Sequence, residues 1–390
     1  MWYNLVLKIA LLTDGISPYV TGGMEKHSHY LAKHLVIAGY KVDLYHCIYD
    51  LNQQLPPKSE IDSIFFNKDY SFNNVFTFYF PKSLYFPGHY LFNSFKYSQL
   101  LYNTIIDNNF SYDFIYSKGF SSWKFLLKKS NFTIATNFHG YEMFQKSPNL
   151  QYSIKKYLFR YLVKWIINRS NYIVSYGGKI TKIINSLNYN KIKVFEISAA
   201  IDKSWILSEL NNKIKVSRTK VLFIGRNEDR KGFKELIAAI NKLDNKISLE
   251  FHFIGPDFKS KKLIKNDLVV KFHGLVKDDD LKKQIIDQCD VLICPSFSEG
   301  MPNVILEAMS RGLAVIASNV GACSLLVDEN NGILIDKITV PNIHDSLIVI
   351  NNIKENDLNL KKLNSLKKIK DHSWERVINH VSNMITETKK

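Results

Sequence analysis

The run Ser296-Phe297-Ser298-Glu299-Gly300-Met301-Pro302-Asn303-Val304-Ile305-Leu306-Glu307-Ala308-Met309 sets two carboxylates, Glu299 and Glu307, on either side of a preset helix start. Pro302 suits a first helical position, where its missing N–H is no loss and its φ is already helical. Gly300 lets the backbone ahead of it come close to a ligand. The amides of Asn303 and Val304 then point outward without intrahelical acceptors, at the positive end of the helix dipole. Such an end binds anions and suits a diphosphate. Glu307, deeper in the helix, can accept hydrogen bonds from sugar hydroxyls, and Glu299 stands on the loop in front. A phosphate site beside hydroxyl-binding carboxylates points to a nucleotide-sugar.

The elements that must position these groups alternate between strand and helix along the whole chain, which argues an α/β architecture with parallel sheets. In the first half, strands are expected at Leu7–Thr13, Val42–His46, Phe114–Ser117, Thr133–Asn137, Tyr172–Ser175 and Lys193–Ile197. Helices are expected at Lys26–Ala38, Tyr90–Asp107, Ser153–Asn168 and Lys179–Leu187. The polar segment from Asp202 to Ser217 reads as a linker. A second α/β series follows, with strands at Lys220–Gly225, Glu250–Ile254, Val269–His273, Asp290–Cys294, Ala314–Ala317 and Gly332–Ile335. Asn351–Lys370 reads as solvated helix and turn, and Ser373 as the N-cap of a last helix. The aromatic stretch from Ile64 to Phe95 reads as core or loop packing, with an acceptor site or a membrane contact as its other uses.

At 390 residues the chain suits two domains rather than one core. No apolar run reaches the roughly 20 residues needed to span a bilayer. The apolar start, Met1 to Thr13, lacks a basic leader and reads as a first core strand. Cys47, Cys289, Cys294 and Cys323 form no metal-ligand spacing, and reduced cytosolic thiols account for them. The net charge of +16 is uneven. It concentrates between Lys155 and Lys193, where no acidic residue occurs. Lys156, Arg160 and Lys164 share one helical face there. That face reads either as the solvated side of a core-packed helix or as a surface for anionic lipid headgroups. No nucleic-acid motif is present.

The stretch from Val291 to Gly312, with Ala314-Val315-Ile316-Ala317-Ser318 and Gly321 after it, resembles the signature of the family 4 retaining glycosyltransferases. That resemblance implies the GT-B fold: two Rossmann-like domains facing across a cleft, with a C-terminal helix crossing back to the first. The domains would be residues 1–200 for the acceptor, 201–370 for the nucleotide-sugar, and 371–390 for the closing helix.

Four more segments match the family in order. Gly22-Gly23-Met24-Glu25-Lys26-His27 would face the cleft, its amides approaching the donor phosphate or the acceptor. His139-Gly140 would place His139 against the transferred sugar. Gly225-Arg226 and Lys231-Gly232 would supply Arg226 and Lys231 as cations for the leaving diphosphate; Arg230 is the neighbour that blurs this choice. Phe272-His273-Gly274-Leu275-Val276 would hold the nucleobase through backbone atoms at Leu275, with UDP and GDP as rivals. The site set implied is thus Glu299, His139, Arg226 and Lys231 for catalysis. Gly22, Gly23, Leu275, Gly300, Met301, Pro302, Asn303, Val304 and Glu307 join Arg226 and Lys231 on the donor.

Asp278-Asp279-Asp280 mimics a metal-binding triplet of the other glycosyltransferase fold, but acids just before Leu281 favour a helix start. No metal or other cofactor is expected. The implied function is sugar transfer from a nucleotide-diphosphate sugar to a glycan or lipid-linked acceptor, by a cytoplasmic protein with possible contact at the inner membrane face. A nucleotide-sugar epimerase and a non-catalytic glycan binder of the same fold are the alternatives.

Overall fold

A computed structural model describes residues 6–20, 22–49, 55–148, 150–210, 218–256 and 268–387. It contains two parallel sheets. The first takes β1 (Lys8–Leu12), β2 (Lys41–Ile48), β3 (Asn74–Tyr79), β4 (Phe114–Lys118), β5 (Ile134–Asn137), β6 (Tyr172–Ser175) and β7 (Lys193–Glu196). Their order across the sheet is β3-β2-β1-β4-β5-β6-β7. The second takes β8 (Thr219–Ile224), β9 (Leu249–Ile254), β10 (Val269–Phe272), β11 (Val291–Cys294), β12 (Ala314–Ser318) and β13 (Gly332–Ile335). Its order is β10-β9-β8-β11-β12-β13. Both orders reverse direction once, beside β1 and beside β8, and open sheets of this kind bind ligands at the strand ends flanking such a reversal.

Among the described residues, six helices accompany the first sheet: α1 (Gly23–Ile37), α2 (Lys58–Phe65), α3 (His89–Asp107), α4 (Trp123–Leu127), α5 (Leu150–Ile167) and α6 (Lys179–Leu187). The second carries α7 (Phe233–Ile240), α8 (Asp279–Asp287), α9 (Asn303–Ser310), α10 (Cys323–Leu326), α11 (Val340–Asn352) and α12 (Glu355–Ile369). The strands are short and apolar because each sheet is covered on both faces. Ile9, Leu11, Val42 and Leu44 pack on one side of the first sheet, and Ala10, Leu12, Tyr45 and Cys47 on the other.

The last helix, α13 (Trp374–Glu387), leaves the second sheet and returns to the first. Ser373 caps it, its Oγ accepting from the Arg376 amide at 3.4 Å. Trp374, Val377, Val381 and Met384 join the same core as Leu31 and Leu35 of α1. The Trp374 indole stacks on His34 at 5.3 Å and on Tyr30 at 5.9 Å.

Several expectations change. The aromatic stretch contains an edge strand, β3, whose Phe76 and Phe78 stack beside Tyr45 in the core, whereas Leu84, Tyr85, Phe86 and Phe92 are exposed. α12 is not merely solvated, because Leu358, Leu366 and Ile369 are buried. Part of the linker, residues 211–217, lies outside the described residues.

Two of the three cations on the basic face of α5 turn inward, while Lys164 stays exposed. Lys156 is buried and its Nζ donates to the Glu142 carbonyl at 2.8 Å, while Arg160 Nε donates to the Met143 carbonyl at 2.7 Å. Among the described side chains, α5 shows Tyr157, Leu158, Tyr161 and Lys164 to solvent. The cations satisfy the carbonyls of a 3₁₀ turn at Glu142–Phe144, a demand that helical periodicity does not reveal.

Candidate active site

The two halves meet at the carboxyl ends of their strands. Between β11 and α9 the chain runs as a loop with Ser296, Ser298, Glu299, Met301 and Pro302 all buried. Ser318 at the end of β12 anchors it by donating to the Ser296 carbonyl at 2.5 Å. The Ala322 amide donates to the Gly300 carbonyl at 2.8 Å.

Gly300 has a steric role that its sequence position does not reveal. A Cβ there would lie 2.5 Å from the His139 carbonyl oxygen of the opposite half. The glycine therefore admits protein backbone, and its neighbour His139-Gly140 closes over the loop. Pro302 is likewise the N-cap, with extended backbone, and Asn303 is the first helical residue. The first amide to bond back is Ile305, to the Pro302 carbonyl at 3.1 Å, so the amides of Asn303 and Val304 are those at the helix mouth.

A second helix N-terminus faces this one. Asn303 Nδ2 donates to the Gly23 carbonyl at 2.8 Å, which brings the Gly22-Gly23 turn and the start of α1 against the start of α9. Two positive dipole ends then lie side by side, an arrangement that favours an anion such as a diphosphate. Met301 points away from it, its Sδ accepting from the Ala199 amide at 3.2 Å in a core shared by both halves.

Glu299 is held from the β8 side. Lys231 Nζ lies 2.6 Å from its Oε1, and Arg230 lies 3.8 Å from its Oε2. Burial acts to raise the Glu299 pKa, but Lys231 and then Arg230 outweigh it and hold the carboxyl below its ordinary value. Gly232 has φ +67°, and a Cβ there would collide with the Pro295 carbonyl, so the Lys231-Gly232 turn packs directly under the loop. Arg230 also donates to the Ser298 carbonyl at 3.1 Å and reaches Glu142 of the first half at 3.5 Å. Lys231 and Arg230 therefore share the site. Arg226 is not brought to it: its side chain is 61% exposed and pairs with Glu228 at 3.0 Å.

Glu307 is buried on α9 and paired with Lys282 of α8. Lys26 of α1 lies 3.9 Å away and binds Asp279 at 2.8 Å, joining the two halves. The Trp205 ring lies beneath Lys26 and Lys282, at 4.6 and 5.8 Å. In the acidic triplet, Asp278 caps α8 through the Leu281 amide at 2.6 Å, Asp279 binds Lys26, and Asp280 binds Lys283 at 3.0 Å. Leu275, half exposed, sits on the open loop between β10 and α8.

From the first half, His139 enters the cleft half-buried, its Nδ1 2.6 Å from the Tyr176 hydroxyl. Burial, with Lys118 adding, pushes its pKa well down, so the ring is neutral. A hydroxyl donating to Nδ1 leaves the ring proton on Nε2 as a donor. Beside it, His27 Nδ1 lies 2.8 Å from the fully buried Lys118 Nζ. Burial lowers the Lys118 pKa to about 7 and raises that of Asp14 to about 6, the latter with Glu25 adding to the effect.

Asp14 lines a cavity of about 430 Å³ walled by Tyr90, Phe120, Phe138 and Phe159 and open toward His139. Sequence reasoning missed Asp14, Lys118, Tyr176 and Gln145. Asp14 had one available signal, as the acid that opens the loop after the first strand. Gln145 had none: its Nε2 bonds the carbonyls of Gly140 and, at 2.6 Å, of Glu299, which only the docked halves reveal.

The family profile "Glycosyltransferase Family 4" matches residues 21–205, and "Glycosyl transferases group 1" matches residues 218–350. An α-1,3-N-acetylgalactosaminyltransferase of Campylobacter jejuni, named for N,N'-diacetylbacillosaminyl-diphospho-undecaprenol, is 29% identical over 44% of this chain and 46% of its own. The chain covers 22% to 63% of the length of the curated relatives compared. Among solved structures, sucrose-phosphate synthase from Thermosynechococcus elongatus superposes with a TM-score of 0.78 at 16% identity, covering 98% of this chain and 99% of that one. Anabaena HepE, solved with UDP and glucose, gives 0.65 at 16% identity, over 98% and 100%. These likenesses establish the GT-B fold. The two profiles between them take in every strand but β1, the His139 loop, the Lys231 turn and the Glu299–Glu307 segment, and the chain belongs to the family 4, group 1 glycosyltransferases.

Proposed function

We propose that the chain is a retaining glycosyltransferase that moves a sugar from a UDP- or GDP-sugar to a glycan or lipid-linked acceptor. Its setting would be bacterial surface polysaccharide or lipopolysaccharide assembly, at the cytoplasmic face of the membrane. The observation that carries this reading is the meeting of the starts of α1 and α9, bracketed by Glu299 with its cations and by Glu307. The second half would hold the donor and the first half the acceptor.

In this reading the diphosphate lies on the Asn303 and Val304 amides, and Glu307 exchanges its lysine partners for ribose hydroxyls. Glu299 orients the sugar, with the His139 Nε2–H facing it. As the glycosidic bond breaks, charge gathers on the leaving diphosphate, where Lys231, Arg230 and two helix ends oppose it. Glu299 is tied to two cations, which suits positioning better than covalent attack, and the acceptor then enters on the face the phosphate leaves. The cations and amides meet the diphosphate charge, so the proposal assigns no metal. The aromatic cavity beside Asp14 suits one acceptor sugar ring.

A lipid-linked acceptor is supported by the exposed Leu84, Tyr85, Phe86 and Phe92 beside α3 and by Tyr157, Leu158 and Tyr161 of α5, because Tyr90 and Phe159 of the same elements wall the cavity. Among the described residues no helix is long and apolar enough to cross a membrane. The test is transfer from a matched donor, with the product anomer read by NMR. The expected product keeps the donor's anomeric configuration, and turnover is unchanged in EDTA. An inverted product, or loss of turnover restored by a divalent ion, would overturn the respective part.

A further inference from the structure

Four polar side chains lie together on one face at the β9–β10 edge. Glu250 and His252 alternate on β9, and the register pairs Lys271 with His252, so Lys271 and His273 share that face. Glu250 Oε1 lies 2.8 Å from both Lys271 Nζ and His252 Nε2. His252 Nδ1 lies 3.0 Å from His273 Nε2, with the rings stacked at 5.2 Å. His252 is fully buried and His273 half-buried.

This chain of contacts dictates where the protons sit. Burial holds both imidazoles below their ordinary pKa, overriding the Glu250 carboxylate at His252, so both rings are neutral at neutral pH. A neutral imidazole has one N–H and one lone pair, and a carboxylate only accepts. His252 therefore donates through Nε2 to Glu250 and accepts at Nδ1. His273 must then donate through Nε2, which leaves its Nδ1 a fixed lone pair. No described residue takes that lone pair. Nδ1 is the ring nitrogen nearer the backbone, and the backbone here leaves the sheet: Gly274 has φ +68° with open space around it, and Leu275 is half exposed.

The loop that follows runs to the donor site. It enters α8, whose Lys282 holds Glu307, and Val276 packs against the same core as Val304 of α9. Glu299 stands on the loop ahead of α9, against Lys231. In the donor-site reading above, a nucleotide with its diphosphate on α9 and its ribose at Glu307 would extend its base toward residues 273–276, which lead into the helix that carries Lys282.

We propose that His273 Nδ1 reads the donor's base and selects uracil or guanine, which present a ring N–H, over cytosine and adenine, which present a ring lone pair. The proposal rests on the donor-site reading above. Glu250 and His252 are positioning residues that fix the tautomer.

The experiment is calorimetric titration of the whole chain with UDP, GDP, CDP, ADP and inorganic pyrophosphate. UDP or GDP should bind at least about tenfold tighter than CDP and ADP, the scale of one hydrogen bond gained against two lone pairs opposed. His273→Phe, which keeps a stacked ring, should bring the four nucleotides within about threefold while pyrophosphate binding stays the same. Glu250→Gln, which permits either His252 tautomer, should narrow the preference in a chain of unchanged circular dichroism. Equal binding of all four nucleotides by the parent chain, or an undiminished preference in His273→Phe, would overturn the proposal. Absence of binding to every nucleotide and to pyrophosphate would instead overturn the donor-site reading.

Discussion

Glu299 and Glu307 begin from the same chemistry, and their surroundings separate their duties. Lys231 and Arg230 keep Glu299 ionised inside a buried loop, so removing Lys231 strands a carboxylate out of water. Lys231→Met should lower stability by about 3 kcal/mol in urea denaturation at pH 7. The sign of its pH dependence follows from the depressed pKa. The contribution is whole above the ordinary carboxylate value and is lost as pH falls through the lowered one. Variant and parent should therefore converge only below about pH 4.5, and a gap that closes nearer neutrality would count against the ion pair. Glu307→Gln keeps the shape but offers ribose a weaker acceptor. Nucleotide affinity should drop about tenfold, and the melting temperature should also fall, because Lys282 loses the charged partner of a buried pair.

At the scale of elements, α5 shows how a helical pattern can be read correctly and assigned to the wrong side. Lys156 and Arg160 do share a face, as their spacing requires, but that face meets the carbonyls of the Glu142–Phe144 turn. Arg160→Ala should cost about 1.5–3 kcal/mol through the charge-assisted bond it loses. If α5 rests on lipid, it does so through Tyr157, Leu158 and Tyr161. Binding to anionic vesicles should then survive raised salt and be lost in a Tyr157→Ser/Tyr161→Ser double variant. Binding that vanishes in salt while surviving the double variant would restore the charge-based reading. The pattern revealed that a basic face exists, but not which backbone carbonyls lacked donors.

Over the whole molecule, two ties set the distance between the halves. One is α13, whose Trp374 is buried against His34 and Tyr30 although the helix follows the second half in sequence. Trp374→Ala should cost about 3–5 kcal/mol, read as a lower denaturation midpoint of the first half. The other is the cleft itself, closed by Lys26–Asp279, Asn303–Gly23 and Gln145–Glu299. Lys26→Ala removes a cross-cleft cation while leaving the carboxylates intact. It should enlarge the radius of gyration in small-angle scattering and weaken donor binding, and an unchanged radius would show that the backbone contacts suffice.

The alternation of short apolar strands with amphipathic helices determined the two-sheet α/β architecture, because burial on both faces leaves a local trace in hydropathy. The ordered spacing of His139-Gly140, Lys231-Gly232, Glu299-Gly300 and Glu307 determined the family, since a glycine stands directly after each of the first three and the fourth follows inside the next helix. Only the tertiary structure decided that Gly300 makes room for the His139 carbonyl and that Arg230 works alongside Lys231 while Arg226 stays on the rim. It also decided that Asp14 and Lys118 share one buried neighbourhood. Those facts depend on which loops face each other across the cleft, and contacts between residues distant in sequence leave no periodicity along the chain.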